Sequence, residues 1–172
     1  MLIAGKRMPA GGGLAPALLK RAATVSLDWD ARQKSRFDAV DSNARALGVV
    51  LPRGTVLRGG DVLVADDGSL VRVEAKAQAV LRVGVAAGAD PSSLARAAYH
   101  LGNRHVPLEV RPTHLQLEPD HVLAGMLERM GFVVDTVEAP FEPEGGAYDA
   151  ASAAAAGHHV HGPGCDHSHD HP

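Results

Sequence analysis

Two amphipathic stretches in the second half of the chain constrain the fold more than any other feature. In each, apolar residues recur at i, i+3, i+4 and i+7, so they would share one face of a helix. The two faces consist of Leu94, Ala97, Ala98 and Leu101 and of Leu123, Met126, Leu127 and Met130. Asp90 and Pro91 are placed to start the first helix and Gly102 to end it. Asp120 and Gly131 are placed to do the same for the second.

Four extended segments surround these two helices. They are Val80–Val85, His105–Val110, His114–Leu117 and Phe132–Val137. The resulting order is β-α-β-β-α-β, which is typical of a split βαβ, ferredoxin-like arrangement. The pattern therefore predicts a ferredoxin-like domain over residues 78–141.

The first half of the chain contains short apolar runs separated by turn residues, without a convincing helix. The predicted strands are Thr24–Trp29, Val49–Leu51, Thr55–Leu57, Val62–Ala65 and Leu70–Glu74. An Asp-Gly pair at Asp67 and Gly68 favours a tight hairpin turn between the last two. Residues 1–77 are therefore predicted to form a small all-β domain, and the whole chain an α+β protein.

The C-terminal segment, residues 142–172, has a different composition. It is rich first in Pro, Gly and Glu and then in Ala, and it ends with six of the ten histidines in the chain. Such a segment has too little apolar surface to form a core, so it is predicted to be a disordered, His-rich tail.

Composition and motifs exclude several classes of function. The chain is 45% apolar and only 3% aromatic, so the basic patch interleaved with aromatic residues that favours nucleic-acid binding is missing. No apolar run reaches the roughly 18 residues of a membrane span, and residues 1–23 make a poor signal peptide. A single cysteine, Cys165, allows no internal disulfide and fits the cytoplasm. Metalloprotease, serine-hydrolase and phosphate-loop motifs are absent, so we do not expect an enzyme.

The tail has the composition of a metal-binding segment. Neutral imidazole is a good ligand for nickel, copper and zinc, and a thiolate can join it. The candidate ligands are His158, His159, His161, Cys165, His167, His169 and His171. Other residues interrupt this run, whereas a purification tag is an unbroken series of histidines. Storage, buffering and delivery of a metal all fit the tail equally well.

The histidines of the predicted folded domain are candidates of different quality. His100 falls in the last turn of a helix, where a structural role is favoured over metal binding. His114 and His121 fit either role. His105 is predicted to begin a strand, and on a two-fold axis an exposed His105 would meet its copy from a second subunit. The dimer would thereby place two imidazoles on one ion.

The stretch Tyr99–Leu108, with the sequence YHLGNRHVPL, resembles the signature of the UreE family of urease accessory proteins, which are nickel metallochaperones. The runs Asp28–Arg36 and Leu51–Leu63 are similar to the N-terminal domain of that family. Asp120–Leu123 and Phe141–Tyr148 extend the resemblance. It covers nearly all of residues 20–148, and a histidine tail is a common ending in the family.

This resemblance implies a function for each part of the chain. His105 would be the central Ni2+ ligand, contributed by both subunits of a cytoplasmic homodimer, and the tail histidines would add to that site or exchange with it. His100 and His121 would at most be accessory ligands. The β domain would bind partners, and nickel would pass to the urease apoprotein complex through the urease-maturation GTPase and other urease accessory proteins. The same donors would also accept Zn2+ or Cu2+.

Two other classes of function stay open on the sequence. One is a nickel or zinc buffer or storage protein that uses chiefly the tail. The other is a peptide-binding adaptor built on the β domain, for which metal would be irrelevant. Because imidazole binds metal only when it is neutral, histidine ligation also predicts loss of nickel as the pH falls through about 6.5.

Overall fold

Two β-sheets, one in each half of the chain, make up the fold of the computed structural model, which describes residues 1–86, 88–90 and 92–145. The strands are β1 Leu2–Met8, β2 Ala23–Leu27, β3 Arg36–Val40, β4 Ala46–Val50, β5 Val62–Ala65, β6 Leu70–Ala75, β7 Ala77–Gly84, β8 Leu108–Val110, β9 Leu115–Leu117 and β10 Val133–Pro140. The helices are α1 Pro16–Arg21, α2 Trp29–Arg32, α3 Ser93–Gly102 and α4 His121–Arg129, with a 3-10 turn at Pro9–Gly11.

The first sheet has six strands in the order β2-β6-β5-β1-β4-β3. Strand β1 lies inside it, parallel to β4 and antiparallel to β5. The buried side chains below the sheet are almost entirely Val, Leu and Ala, as the low aromatic content requires. They are Ala4, Ala23, Val25, Leu27, Leu47, Val49, Leu51, Leu57, Leu63, Val71 and Val73.

The strand predictions for the first half of the chain are correct in part. Strands β5 and β6 form the predicted hairpin, and Gly68 adopts a left-handed φ of 81° in its turn. The predicted strand Thr55–Leu57 is wrong, because this segment is a loop whose Leu57 N–H donates to the Arg32 carbonyl at 2.9 Å. Strands β1 and β3 were not predicted at all.

The first half is also not purely β-structure, because the short helices α1 and α2 interrupt it. Trp29 does not end a strand. It opens α2, and the side chain of Asp28 caps this helix by accepting a hydrogen bond from the Ala31 N–H at 2.9 Å. This single turn directs Trp29 and Arg32 into the interior, where they are 5% and 0% exposed.

The second sheet has four strands in the order β10-β7-β9-β8, all antiparallel to their neighbours. The order of elements along the second half of the chain is the predicted β-α-β-β-α-β. Both helices pack on one face of this sheet through a buried cluster. Its members are Leu81, Val83, Ala97, Leu101, Leu108, Leu115, Leu117, Leu127 and Phe132.

The predicted helix starts differ in their outcome. Asp120 caps α4 as predicted, since its side chain accepts hydrogen bonds from the N–H groups of Val122 and Leu123. Asp90 does not cap α3, because the helix begins later, at Ser93. The Asp90 carboxylate instead accepts a hydrogen bond from the Ser92 N–H at 2.8 Å. Pro91 lies outside the described residues.

The two halves of the chain meet in a third, small cluster. Trp29 of α2, Val80 of β7 and Phe141 are buried together, and the Trp29 and Phe141 rings meet edge to face with centroids 6.0 Å apart. The backbone N–H of Trp29 also donates to Gln78 Oε1 at 2.7 Å. The end of β10 is thereby held against the first half of the chain.

Candidate metal centre

His105 lies in a left-handed turn that follows α3, not in a strand. Its N–H donates to the Gly102 carbonyl at 2.9 Å, and the Val106 N–H donates to the Leu101 carbonyl at 3.3 Å. This pair of bonds defines a Schellman motif with His105 at the left-handed position, where φ is 56°. The prediction that His105 begins a strand is therefore wrong, and β8 begins three residues later at Leu108.

The left-handed turn has an energetic consequence and a geometric one. For an L-residue other than glycine this conformation costs roughly 1–2 kcal/mol, because Cβ crowds the following carbonyl oxygen. The motif also places the side chain of His105 outside the helix, where it is exposed. Ala10 and Ala44 also have left-handed φ values, of 47° and 58°, so it is the combination with an exposed imidazole that sets His105 apart.

His105 borders a groove of about 500 Å³ between the two halves of the chain. One wall comes from the segment around β8, the other from Trp29 of α2 and from Val56 and Arg58 of the loop before β5. The last described residues, which follow β10, complete it. The lining residues are Trp29, Val56, Arg58, Gly102, His105, Val106, Pro107, Leu108, Val110, Pro143, Glu144 and Gly145. The start of the tail therefore lies beside His105.

His100 and His121 do not line this groove. His100 is half-buried in the last turn of α3, as predicted, with its ring against the edge of Tyr99 at a centroid distance of 5.5 Å. His121 is the first residue of α4 and is exposed. Neither position contradicts an accessory role in metal binding.

His114 is half-buried in the turn that precedes β9. Its Nδ1 lies 3.1 Å from Thr113 Oγ1. Burial lowers the pKa of His114, and the nearby cations Arg82 and Arg111 lower it further, against an opposite effect of Glu109. His114 therefore favours the neutral form more than an ordinary histidine does.

No three His, Cys, Asp or Glu side chains come together in a way that could hold a metal ion, within residues 1–86, 88–90 and 92–145. His105, His100 and His121 are thus not assembled into one site by this part of a single chain. The predicted tail ligands, from His158 to His171 and including Cys165, lie outside the described residues. A metal at His105 would require donors from beyond the described part of the chain.

A polar network next to the groove was not predicted from the sequence. The guanidinium of Arg32 is fully buried and donates to Glu142 Oε1 at 2.6 Å. Burial lowers the pKa of Arg32, and the Glu142 carboxylate opposes that effect. Glu109, only 3% exposed, accepts a hydrogen bond from the Glu142 N–H at 2.8 Å. The one sequence signal was a carboxylate placed between the apolar residues of a short strand.

Comparison with known proteins assigns both halves of the chain to one two-domain family. The family descriptions that match are the N-terminal domain of the UreE urease accessory protein, over residues 5–76, and its C-terminal domain, over residues 78–171. The chain belongs to the UreE family of urease accessory proteins.

Relatives named urease accessory protein UreE are similar over most of their length. The protein of Paracidovorax citrulli is 67% identical, with 92% of this chain and 73% of the relative covered. That of Albidiferax ferrireducens is 60% identical, covering 98% of this chain and all of the relative. That of a Polaromonas strain is 54% identical, covering 99% of this chain and 91% of the relative. Among the described helices, none has the length and apolar character needed to cross a bilayer.

Proposed function

We propose that this protein is a nickel metallochaperone that takes part in urease maturation and carries Ni2+ towards the urease apoprotein. The role in maturation is supported by family membership and by the name its relatives share. The observation that carries the nickel proposal is the position of His105. Its exposed imidazole lies in a left-handed turn and lines the same groove as Gly145, the last described residue before the histidine-rich part of the tail.

In this proposal the metal site is shared between two subunits. His105 of one subunit faces its copy across a two-fold axis, so two neutral imidazoles bind one Ni2+. Tail histidines, with Cys165 as a further candidate, fill the remaining positions, and His100 and His121 are at most accessory. Structural zinc sites are closed by four fixed protein ligands. A site with only two fixed ligands releases its metal more readily, as a carrier requires.

The two folded units take separate roles. The sheet order β10-β7-β9-β8 with helices on one face supports a ferredoxin-like assignment of the second unit, which would carry the metal and the dimer contact. The first unit would bind partners, namely the urease-maturation GTPase and the other accessory proteins. The protein would act in the cytoplasm.

A nickel titration of three proteins tests the proposal. They are the wild type, the His105→Ala variant and a chain truncated after Ala156. We expect His105→Ala to lose the site shared by two subunits, one Ni2+ per dimer, whereas truncation lowers capacity but leaves that site. His114→Ala, which removes a folded-domain histidine outside the proposed ligand set, is the matched control. The carrier proposal is wrong if truncation abolishes all binding and His105→Ala changes nothing.

A metal buffer is the second candidate, and the six tail histidines favour it. A buffer predicts that loaded protein releases nickel at the same rate whether or not the GTPase is present. A carrier predicts faster transfer to the GTPase than to solution. If the GTPase instead co-purifies equally well with and without a chelator, and His105→Ala has no effect on urease activation, the first unit acts as an adaptor without metal.

A further inference from the structure

The chain is tightly fixed at the point where the tail begins. We call residues 141–145 the strap, because they follow the last strand and lie across both units. Arg32 of α2 donates from one guanidinium nitrogen to the Phe141 carbonyl and from another to Glu142 Oε1 at 2.6 Å. Arg32 and Phe141 are both fully buried. The first two strap residues are therefore held by the first unit.

The loop before β5 holds the strap at two more points. Arg58 Nη1 donates to the Pro143 carbonyl at 2.5 Å, and the Gly59 N–H donates to Glu142 Oε1 at 2.8 Å. A Cβ atom at Gly59 would lie 2.9 Å from that same oxygen, closer than real contacts allow. A larger residue at this position would therefore displace the Glu142 carboxylate from its present place.

The second unit holds the opposite side of the strap. The Glu142 N–H donates to Glu109 Oε2 at 2.8 Å, and the Glu144 N–H donates to the Leu108 carbonyl at 2.8 Å. Glu109 also forms an ion pair with Arg111. Leu108 is three residues from His105, so this contact fixes the strap next to the candidate ligand.

The position of the strap determines where the tail can reach. Gly145, its last residue, lines the same groove as His105. His158, the first tail histidine, is thirteen residues further on. Thirteen residues span at most about 45 Å, and every other conformation is shorter. A short tether of this kind raises the effective concentration of its ligands, provided that the tether starts at the right place.

We propose that Arg32, Glu109 and Glu142 are positioning residues, which hold the strap so that the tail begins at His105 and delivers its ligands there. This inference rests on the proposed nickel function. The apolar cluster of Trp29, Val80 and Phe141 already joins the two units, so mere cohesion does not require the polar network. A buried ion pair adds little stability by itself. Arg32, Arg58, Gly59 and Glu109 each make a hydrogen bond to the strap, which is what positioning requires.

Nickel titration of the Glu142→Ala variant tests this in two backgrounds, the full chain and the chain truncated after Ala156. We expect nickel binding at the His105 site to weaken on the order of tenfold in the full chain and less than twofold in the truncated chain. Glu74→Ala is the matched control. It also removes one carboxylate from an arginine pair, with Arg72 at 2.9 Å, but both residues of that pair lie in β6 and neither holds the strap.

A second readout requires no metal. A nitroxide on Cys165, the only cysteine, should broaden the amide signal of Val106 in the wild type and less so in Glu142→Ala. Arg58→Gln should act in the same direction, and it covers the case in which Glu142→Ala folds poorly. Equal weakening in both backgrounds, or unchanged broadening, would overturn the positioning role. A failure of the nickel proposal looks different, because His105→Ala would then leave binding intact in every background.

Discussion

Helices α3 and α4 end in the same hydrogen-bonded motif but place different residues at its left-handed position. At the end of α4 the Gly131 N–H donates to the Glu128 carbonyl at 2.9 Å, and the Phe132 N–H donates to the Leu127 carbonyl at 3.1 Å. Gly131 has a φ of 88°. This is the usual solution, because glycine has no Cβ to crowd the backbone.

At the end of α3 the same position is held by His105, with a φ of 56°. Its imidazole gains no hydrogen bond among the described residues that would offset the unfavourable backbone. The difference teaches that the chain can make the motif without strain, as it does at Gly131, and yet retains a histidine at the other helix end. Contacts of the imidazole within the described residues do not account for this choice, whereas the ligand role proposed above would.

The largest difference expected between the two ends lies in their apolar contacts. Phe132, 9% exposed, follows Gly131 and belongs to the core of the second unit, whereas Val106, which follows His105, is half-buried. We expect Phe132→Ala to lower the free energy of unfolding by about 3 kcal/mol and Val106→Ala by about 1 kcal/mol. Urea unfolding measures both. Equal losses would show that the two ends contribute alike to the core.

The Gly131→Ala variant measures how much the left-handed backbone conformation alone costs a residue that has a Cβ atom. A Cβ there would meet no atom within 4 Å, so only the left-handed conformation opposes it. We expect a loss of about 1–2 kcal/mol in urea unfolding. Gly102→Ala is the control, since this glycine ends α3 with open space around it and no left-handed φ. That variant should gain up to about 1 kcal/mol. If Gly131→Ala left the free energy of unfolding unchanged, the left-handed position would carry no cost, and the comparison of the two helix ends would fail.

His105→Gly should change stability and metal binding in opposite directions. Relief of the left-handed strain raises the free energy of unfolding by about 1 kcal/mol, while the shared nickel site is lost. His105→Asn, which tolerates the same conformation, should lose the metal with little change in stability. A His105→Gly protein that unfolds more easily than the wild type would show that the imidazole supports the fold.

The smallest expected effect is the dependence of folding stability on pH through His114. It must be known before nickel release is studied as a function of pH. The pKa of His114 is lowered in the folded protein by burial and by Arg82 and Arg111, from an ordinary value of 6.5. The unfolded chain therefore binds the proton more strongly. The stabilisation is complete above pH 6.5 and is lost as the pH falls towards the lowered value. His114→Gln should flatten this slope in unfolding experiments at pH 5–7, and an unchanged slope would contradict the assignment.

Local patterns were sufficient to predict much of the second unit. The apolar face of α3 and the cap at Asp120 follow from spacing and side-chain chemistry within a few residues, and both are confirmed. Met130 is an exception. It was predicted to be buried on α4, but it follows the last residue of the helix and is 38% exposed.

The remaining features depend on partners that are distant in the sequence. Strand β1 has only one fully buried residue, Ala4, so it lacks a readable alternation and is placed by its neighbours β4 and β5. The contact between Arg32 and Glu142 spans 110 positions. The left-handed backbone conformation of His105 could not be predicted, because glycine is the residue expected at such a position. For the candidate metal site the sequence could name single histidines but not a complete set of ligands, and the described residues do not bring three such ligands together.

The central position of β1 has a consequence for how the protein can be shortened. Because β1 separates β5 from β4, deletion of the first eight residues would divide the six-stranded sheet into a three-stranded and a two-stranded piece. Each piece would expose a new strand edge, and unpaired edges of this kind template aggregation. The amino terminus is therefore the wrong place to trim this chain when preparing a minimal fragment.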